Sequence, residues 1–439
     1  MSARNRELLA LVPASLLLTA GFAAIFIQEN EILSDVSLTY GAIFLGLCFA
    51  GHLFLRFTLP YADPYMFPLV AVLACFGLVV IYRIDDELAR EQAQWFVLGL
   101  VLFAATILLL RDLQVLERYR YTIALAGLFL LFLPRVPGIG APVNGAYLGV
   151  QIGSISFQPA ELGKIAIIIF LASYLRDTRQ VLVQGSRRVL GVTIPPLKHF
   201  GPVLVVWGAA MLMLVFIRDL GSSLMYFGGF LALLYVATNR LSFVTIGLAM
   251  FALGAWFFAS TVGHVQERVD IWLDPFNPDW VERQGYQIAQ SMFAQADGGL
   301  FGTGLGASLL NAPGGASLLP APQTDLIYAV ITNELGLVGA CGLLLFYMLL
   351  VERGFRTATL ASDSFSKLLA AGLTAVFALQ VFVIVGGVTR VIPLTGVTLP
   401  FVSYGGSSIV ANFVLLALLL LVSDRARRPA GAIGRRGLR

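Results

Sequence analysis

Asp325 stands directly before an apolar run that begins at Leu326, at the end of the stretch Pro320-Ala321-Pro322-Gln323-Thr324. A carboxylate there suits the positive end of a helix dipole. It would equally suit a general base held at a membrane surface. Glu334, roughly two turns further along, adds a second carboxylate within an apolar helix. Glu161 and Lys164, in QPAELGK at 158 to 164, are spaced i, i+3 and so share one helix face, where they can neutralise one another. They are either a structural pair that orients two helices or the lining of a polar cavity. Asp219, in RDLGSS at 218 to 223, could cap the next helix or meet substrate. Arg390 precedes PLTGVTLPFVSYGGSS at 393 to 408, where Pro393, Gly396, Pro400, Gly405 and Gly406 break the helical pattern.

These residues must be positioned by helices in a bilayer. Of the 439 residues, 58% are hydrophobic and 12% charged, against roughly 45–50% and about 25% in a soluble domain. A bilayer core about 30 Å thick takes about 20 apolar residues per helix. Such stretches fall near 8–27, 38–54, 65–81, 95–110, 121–133, 159–175, 201–217, 222–237, 242–261, 326–351, 368–387 and 405–422. The expectation is an all-α polytopic membrane protein of about twelve helices. Most Lys and Arg fall on one set of connections, which places both termini in the cytoplasm. The basic balance therefore reports topology and anionic lipid rather than nucleic acid. Ionisable groups inside spans are costly and mark functional sites. Irregular backbone at membrane depth survives only where protein or a water-filled cavity satisfies it, so 393–408 is expected to line a site.

Residues 134–158 form a Gly-rich and Pro-rich outer loop, and 262–325 a far longer one that a purely passive connection would not need. Within it, Ile288, Met292 and Ala296 have the spacing of an amphipathic re-entrant or surface helix. GLFGTGLG at 299–306 lacks the context of a nucleotide fingerprint and reads as flexible loop. The inner loop 176–200 reads as a basic, solvated face. Cys48, Cys75 and Cys341 lie within spans and suggest neither disulfides nor a metal site. His52, His199 and His264 are too scattered to read as a ligand cluster.

Taken in order, the motifs resemble the SEDS family of peptidoglycan glycosyltransferases. The resemblance rests on NGA (144–146), QPAELGK (158–164), DLGSSL (219–224), LDPFNPD (273–279) and GYQIAQS (285–291). It continues through GGLFGTGLG (298–306), TDLIYAVITNELGLVG (324–339) and IPLTGVTLPFVSYGGSS (392–408). GGVTRVIPLTG (386–396), DSFSKLLAAGL (363–373) and two additional N-terminal spans are most similar to the actinobacterial RodA branch. The resemblance implies an extra helix pair over residues 1–60, a ten-helix core over 61–423 that includes the 262–325 loop, and a basic tail over 424–439.

It also implies an activity: polymerisation of lipid II on the outer face of the bacterial cytoplasmic membrane, for cell-wall elongation and cell shape. Asp325 matches the family's essential aspartate, with general base as its role. Glu161 and Lys164 match the membrane-embedded pair. Arg390 is a diphosphate candidate, and Asp219, Glu334, Gln290 and Ser403 are further substrate or cavity candidates. A divalent cation, Mg or Mn, could neutralise the diphosphate, as could arginine. No organic cofactor is implied. The implied partner is a class B penicillin-binding protein, a single-span transpeptidase. This chain departs from the family pattern at Tyr147, Leu148 and Gly149, at Asn333 beside Glu334, and at Ile384. The rival function is a flippase or transporter for lipid-linked precursor, since twelve spans with buried charge also describe a carrier.

Overall fold

The computed structural model describes residues 3–28, 35–110, 112–136, 138–143, 146–152, 155–184, 187–189, 192–194, 208, 220–308 and 318–429. Asp219, Asn144, Gly145 and nearly all of the span expected at 201–217 lie outside the described residues. The helices are α1 (Ala3–Gln28), α2 (Asp35–Thr58), α3 (Met66–Ile84), α4 (Asp86–Leu109), α5 (Gln114–Arg118), α6 (Arg120–Phe132) and α7 (Ala160–Gln184). They continue as α8 (Leu220–Thr238), α9 (Leu241–Thr261), α10 (Gly263–Leu273), α11 (Tyr286–Gly298), α12 (Ile327–Leu360), α13 (Ser364–Val388) and α14 (Gly406–Arg427). Among the described residues, eight helices are long and apolar enough to cross a membrane. The chain is a nearly all-helical, multi-span membrane protein.

The helices start where the sequence provides caps. Asp85 accepts from the amides of Glu87 and Leu88 at the head of α4, and Asp363 accepts from Ser366 N at the head of α13. Asp85 thus starts α4 nine residues before the apolar run expected at 95. Helices α3, α13 and α14 are mostly buried and form the centre of the bundle. On α9, Leu248, Leu253, Trp256 and Phe257 are exposed, a surface suited to lipid tails. Between buried helices, apolar burial gives no net drive in lipid, so close backbone approach matters. A Cβ on Gly99 would come within 2.5 Å of the Phe413 ring, and one on Gly77 within 2.6 Å of the Val402 backbone.

Three loop expectations are corrected. The 134–158 segment folds into an antiparallel sheet, β1 (Gly140–Val143), β2 (Ala146–Ile152) and β3 (Ile155–Phe157), in that order. Its glycines and prolines masked the alternation in Ala146–Ile152. The inner segment is not all loop, because α7 continues to Gln184 and a hairpin of β4 (Arg187–Val189) and β5 (Val192–Ile194) follows. The amphipathic helix exists as α11, but its buried face is Ile288, Ala289 and Ser291, while Ala296 is exposed. Polar bonds set that rotation, since Ser291 Oγ and Gln295 Nε2 both donate to Val388 O at the end of α13, at 3.3 and 3.0 Å.

The first two helices pack onto the rest of the bundle. Cys75 Sγ lies 3.6 Å from Ala14 O, linking α3 to α1. Glu7 is buried between Arg4 and His52, accepting from Arg4 and lying 2.7 Å from His52 Nδ1.

Candidate active site

Asp325 is half-buried just before α12. Its carboxylate does not cap that helix: the cap residue is Leu326, and no side chain bonds there. Among the described residues the carboxylate accepts no hydrogen bond. It rests against the irregular 393–405 segment, with Oδ2 3.4 Å from where a Cβ on Gly396 would lie. The loop before it is tied to the same segment. Ser403 Oγ donates to Thr324 O at 2.7 Å and accepts from Leu399 N at 2.9 Å, and Tyr404 N donates to Gln323 O at 2.8 Å. Ser403 is thus a buried brace beneath Asp325.

The charge facing Asp325 is Arg268, on α10. Its Nη1 donates to Leu394 O at 2.7 Å, two residues before Gly396, so the PLTG backbone holds both groups. The opposite charges attract without forming an ion pair. Burial pushes the Asp325 carboxyl up to about 6 against the lowering influence of Arg268, because desolvation disfavours the charged form. A carboxylate with that affinity for protons and free lone pairs can take a proton near neutral pH.

The 393–405 segment keeps its irregular shape because polar side chains satisfy its backbone. Gln380 Nε2 donates to Thr398 O at 3.0 Å and Tyr347 Oη to Pro400 O at 2.6 Å. Gln92 Nε2 donates to Ser403 O at 3.1 Å while its Oε1 accepts from Gly405 N at 3.2 Å. In a bilayer such groups have no water to turn to. Phe401, at φ 65°, is a non-glycine residue held in the left-handed region here.

Glu161 and Lys164 form the expected pair at 2.5 Å, both buried at the start of α7. Lys164 Nζ also donates to Gln380 Oε1 at 2.6 Å. Glu334 is buried and organises the loop at 299–308. Its Oε2 accepts from Gly306 N at 3.0 Å, its Oε1 from Ser308 Oγ at 2.6 Å, and Arg83 Nε lies 3.5 Å away. The GLFGTGLG run is therefore a docked segment rather than a flexible one. It enters a break in α12 at Gly336, where φ is 66° and Leu337 N and Val338 N donate to Gly299 O and Leu300 O. A Cβ on Gly302 would lie 2.1 Å from Glu334 O, which explains why glycine stands there.

Arg390 is turned toward α10. Its Nε and Nη2 donate to Trp272 O and Leu273 O at 2.8 and 2.7 Å, while Trp272 Nε1 returns a bond to Arg390 O at 3.1 Å. The positive group thus sits on the last carbonyls of a helix, where the dipole favours it. Gln290 is half-buried on α11 and makes no side-chain hydrogen bond among the described residues. Structure brings Asp325 and Ser403 together, places Glu161 and Lys164 beneath the same segment through Gln380, and sets Glu334 and Arg390 on neighbouring braces.

Arg268, Gln380, Gln92 and Tyr347 were not singled out from sequence. No local spacing pointed to Arg268, whose bond to Leu394 O spans 126 residues of sequence. Among the described residues, no three His, Cys, Asp or Glu side chains could hold a metal ion, and the charge nearest Asp325 is a cation. A cavity of about 280 Å³, lined by Gln266, Glu267, Asp270, Trp280 and Arg283 among others, lies on the other face of α10 and does not include Asp325.

A polytopic helical membrane protein with a half-buried carboxylate at a helix start, braced by an irregular segment between two helices, is the class these features define. The chain belongs to the FtsW, RodA and SpoVE family, described as cell cycle proteins, whose model matches residues 64–428. It is 42% identical to the peptidoglycan glycosyltransferase RodA of Mycobacterium tuberculosis, over 97% of this chain and 92% of that protein. It is 34% identical to stage V sporulation protein E of Bacillus subtilis, over 79% and 90%. A solved peptidoglycan synthase complex that coordinates polymerization and crosslinking contains a chain that superposes with a TM-score of 0.66 at 26% identity, over 84% of this chain and 99% of that one. Thermus thermophilus RodA superposes at 0.58 and 27% identity, over 84% and 98%.

Proposed function

We propose that this chain is a peptidoglycan glycosyltransferase that polymerises lipid II into glycan strands for cell-wall elongation and cell shape. The observation that carries the mechanism is the half-buried carboxylate of Asp325, unbonded among the described residues, with its pKa raised to about 6 and a guanidinium facing it. The names of relatives 40–42% identical over nearly the whole chain support the activity.

In the proposed reaction, the 4-hydroxyl of the acceptor sugar gives its proton to Asp325. Its oxygen forms a bond to the anomeric carbon of the donor, and the bond from that carbon to the diphosphate breaks. The bonding pair leaves with undecaprenyl diphosphate, and a single displacement inverts the anomeric centre. The leaving group is already a stabilised anion, so one carboxylate suffices and no second acid is required. Arg268 supplies positive charge where the diphosphate gains negative charge, which is worth most in a site shielded from water. The metal role expected from the resemblance is assigned no step.

The site faces outward from the bacterial cytoplasmic membrane in this proposal, and a class B penicillin-binding protein crosslinks the product. The likeness to a chain from a peptidoglycan synthase complex supports that pairing. The test gives labelled lipid II to the purified chain with its transpeptidase, as wild type and as Asp325→Ala. Polymer from wild type alone supports the assignment. Equal polymer from both removes Asp325 as base, and none from wild type favours a lipid-precursor carrier.

A further inference from the structure

The pair Glu161–Lys164 is buried: Glu161 is 6% exposed and Lys164 1%. Its second contact is more informative. Lys164 Nζ donates to Gln380 Oε1 at 2.6 Å, and the amide nitrogen of the same side chain donates to Thr398 O at 3.0 Å. Gln380 is fully buried, so neither bond can be exchanged for water without opening the bundle. A carboxamide is suited to this place because it accepts at one end and donates at the other. The lysine therefore fixes which end of Gln380 points toward it, and that choice aims the donor at Thr398 O.

Thr398 lies within the segment that holds the site. Two residues before it, Gly396 backs the Asp325 carboxylate, and four before it Leu394 O holds Arg268. One residue after it, Leu399 N bonds Ser403 Oγ, which in turn bonds Thr324 O beside Asp325. We propose that Gln380 is a positioning residue for glycosyl transfer, through which the Glu161–Lys164 pair fixes the 394–403 backbone and so the separation of Asp325 from Arg268. The pair acts on the reaction from beneath, without touching substrate. This rests on Asp325 being the base and adds the element that sets its geometry.

A double-mutant cycle tests the coupling, because residues acting through one another lose less together than their separate losses multiply to. Full-length chain with its transpeptidase is prepared as wild type, Gln380→Leu, Glu161→Gln with Lys164→Met, and all three changes combined. Neutralising both members of the pair avoids leaving a lone buried charge. The expected outcome is that Gln380→Leu lowers kcat by roughly 10–100-fold, the scale of a displaced reacting group, with KM for lipid II little changed. The combined variant should be no more than about twofold worse than the more damaged parent. Amide exchange should rise across 394–403 in each variant, with α14 unchanged. Should Gln380→Leu not fold, Gln380→Glu replaces it: the ionised side chain still accepts from Lys164 but gives nothing to Thr398 O, and the same loosening is expected. Fold losses that multiply, a defect confined to KM, or unaltered exchange across 394–403 would overturn the proposal. An active Asp325→Asn enzyme would instead remove the base assignment, and the exchange measurement would still decide the coupling.

Discussion

Arg268 and Asp325 are brought face to face by a backbone that belongs to neither: Leu394 O holds the guanidinium, and Gly396 backs the carboxylate. The two are 57 residues apart in sequence and share no motif. Their separation leaves the carboxylate without an ion pair to quench it, while the nearby positive charge still moderates its affinity for protons. That arrangement suits a base that must accept a proton and then release it.

Asp325→Asn should lower glycan polymerisation by roughly 100- to 10,000-fold, the range of a lost general base. The fold should survive, because among the described residues the carboxylate accepts no hydrogen bond. Polymer yield from labelled lipid II and the melting temperature check the two halves. The active form is the deprotonated one, so kcat/KM should fall as pH drops through about 6.

Arg268→Gln removes the charge that lowers the Asp325 proton affinity, so the acid limb should move to higher pH. At a pH where Asp325 is ionised in both proteins, the rate should still fall, by roughly 100-fold, for loss of electrostatic stabilisation at the leaving group. A full pH–rate profile separates the shift from the loss. An unmoved acid limb would contradict the electrostatic link between the two residues.

Glu334→Gln should release the docked loop at 302–308, since the change weakens the hold on Gly306 N and Ser308 Oγ and removes the charge facing Arg83. The expected cost is about 1–3 kcal/mol, as for other buried bonds to charged groups. Faster amide exchange in that loop, ahead of any change in α13, is the measurement.

Arg390→Met separates anchoring from diphosphate binding. The two bonds to Trp272 O and Leu273 O predict faster exchange through the end of α10 and a lower melting temperature, with KM for lipid II unchanged. A raised KM with unaltered exchange would instead make Arg390 a substrate ligand.

Hydropathy alone established a multi-span helical protein, because a bilayer demands long apolar runs whatever their neighbours. The Glu161–Lys164 pair was legible from its i, i+3 spacing, while the place of Asp325 before an apolar helix left cap and base equally open and only the family resemblance of TDLIY singled it out as a base. The breaks at Pro393, Gly396 and Pro400 marked an irregular segment expected to line a site, since these residues interrupt a buried helix. The strands at 140–157 were hidden because they are short and interrupted by glycine. The docking of GLFGTGLG was hidden because its partners, Glu334 and the break at Gly336, lie some thirty residues on.

Local pattern thus determined the long helices and the membrane, since each follows from neighbouring residues or from the solvent. Tertiary structure alone decided what the carboxylate faces, what backs it, and how Lys164 reaches it through Gln380. Those relations depend on which helices are neighbours and how they are rotated, and no local spacing encodes a bond from residue 164 to residue 380.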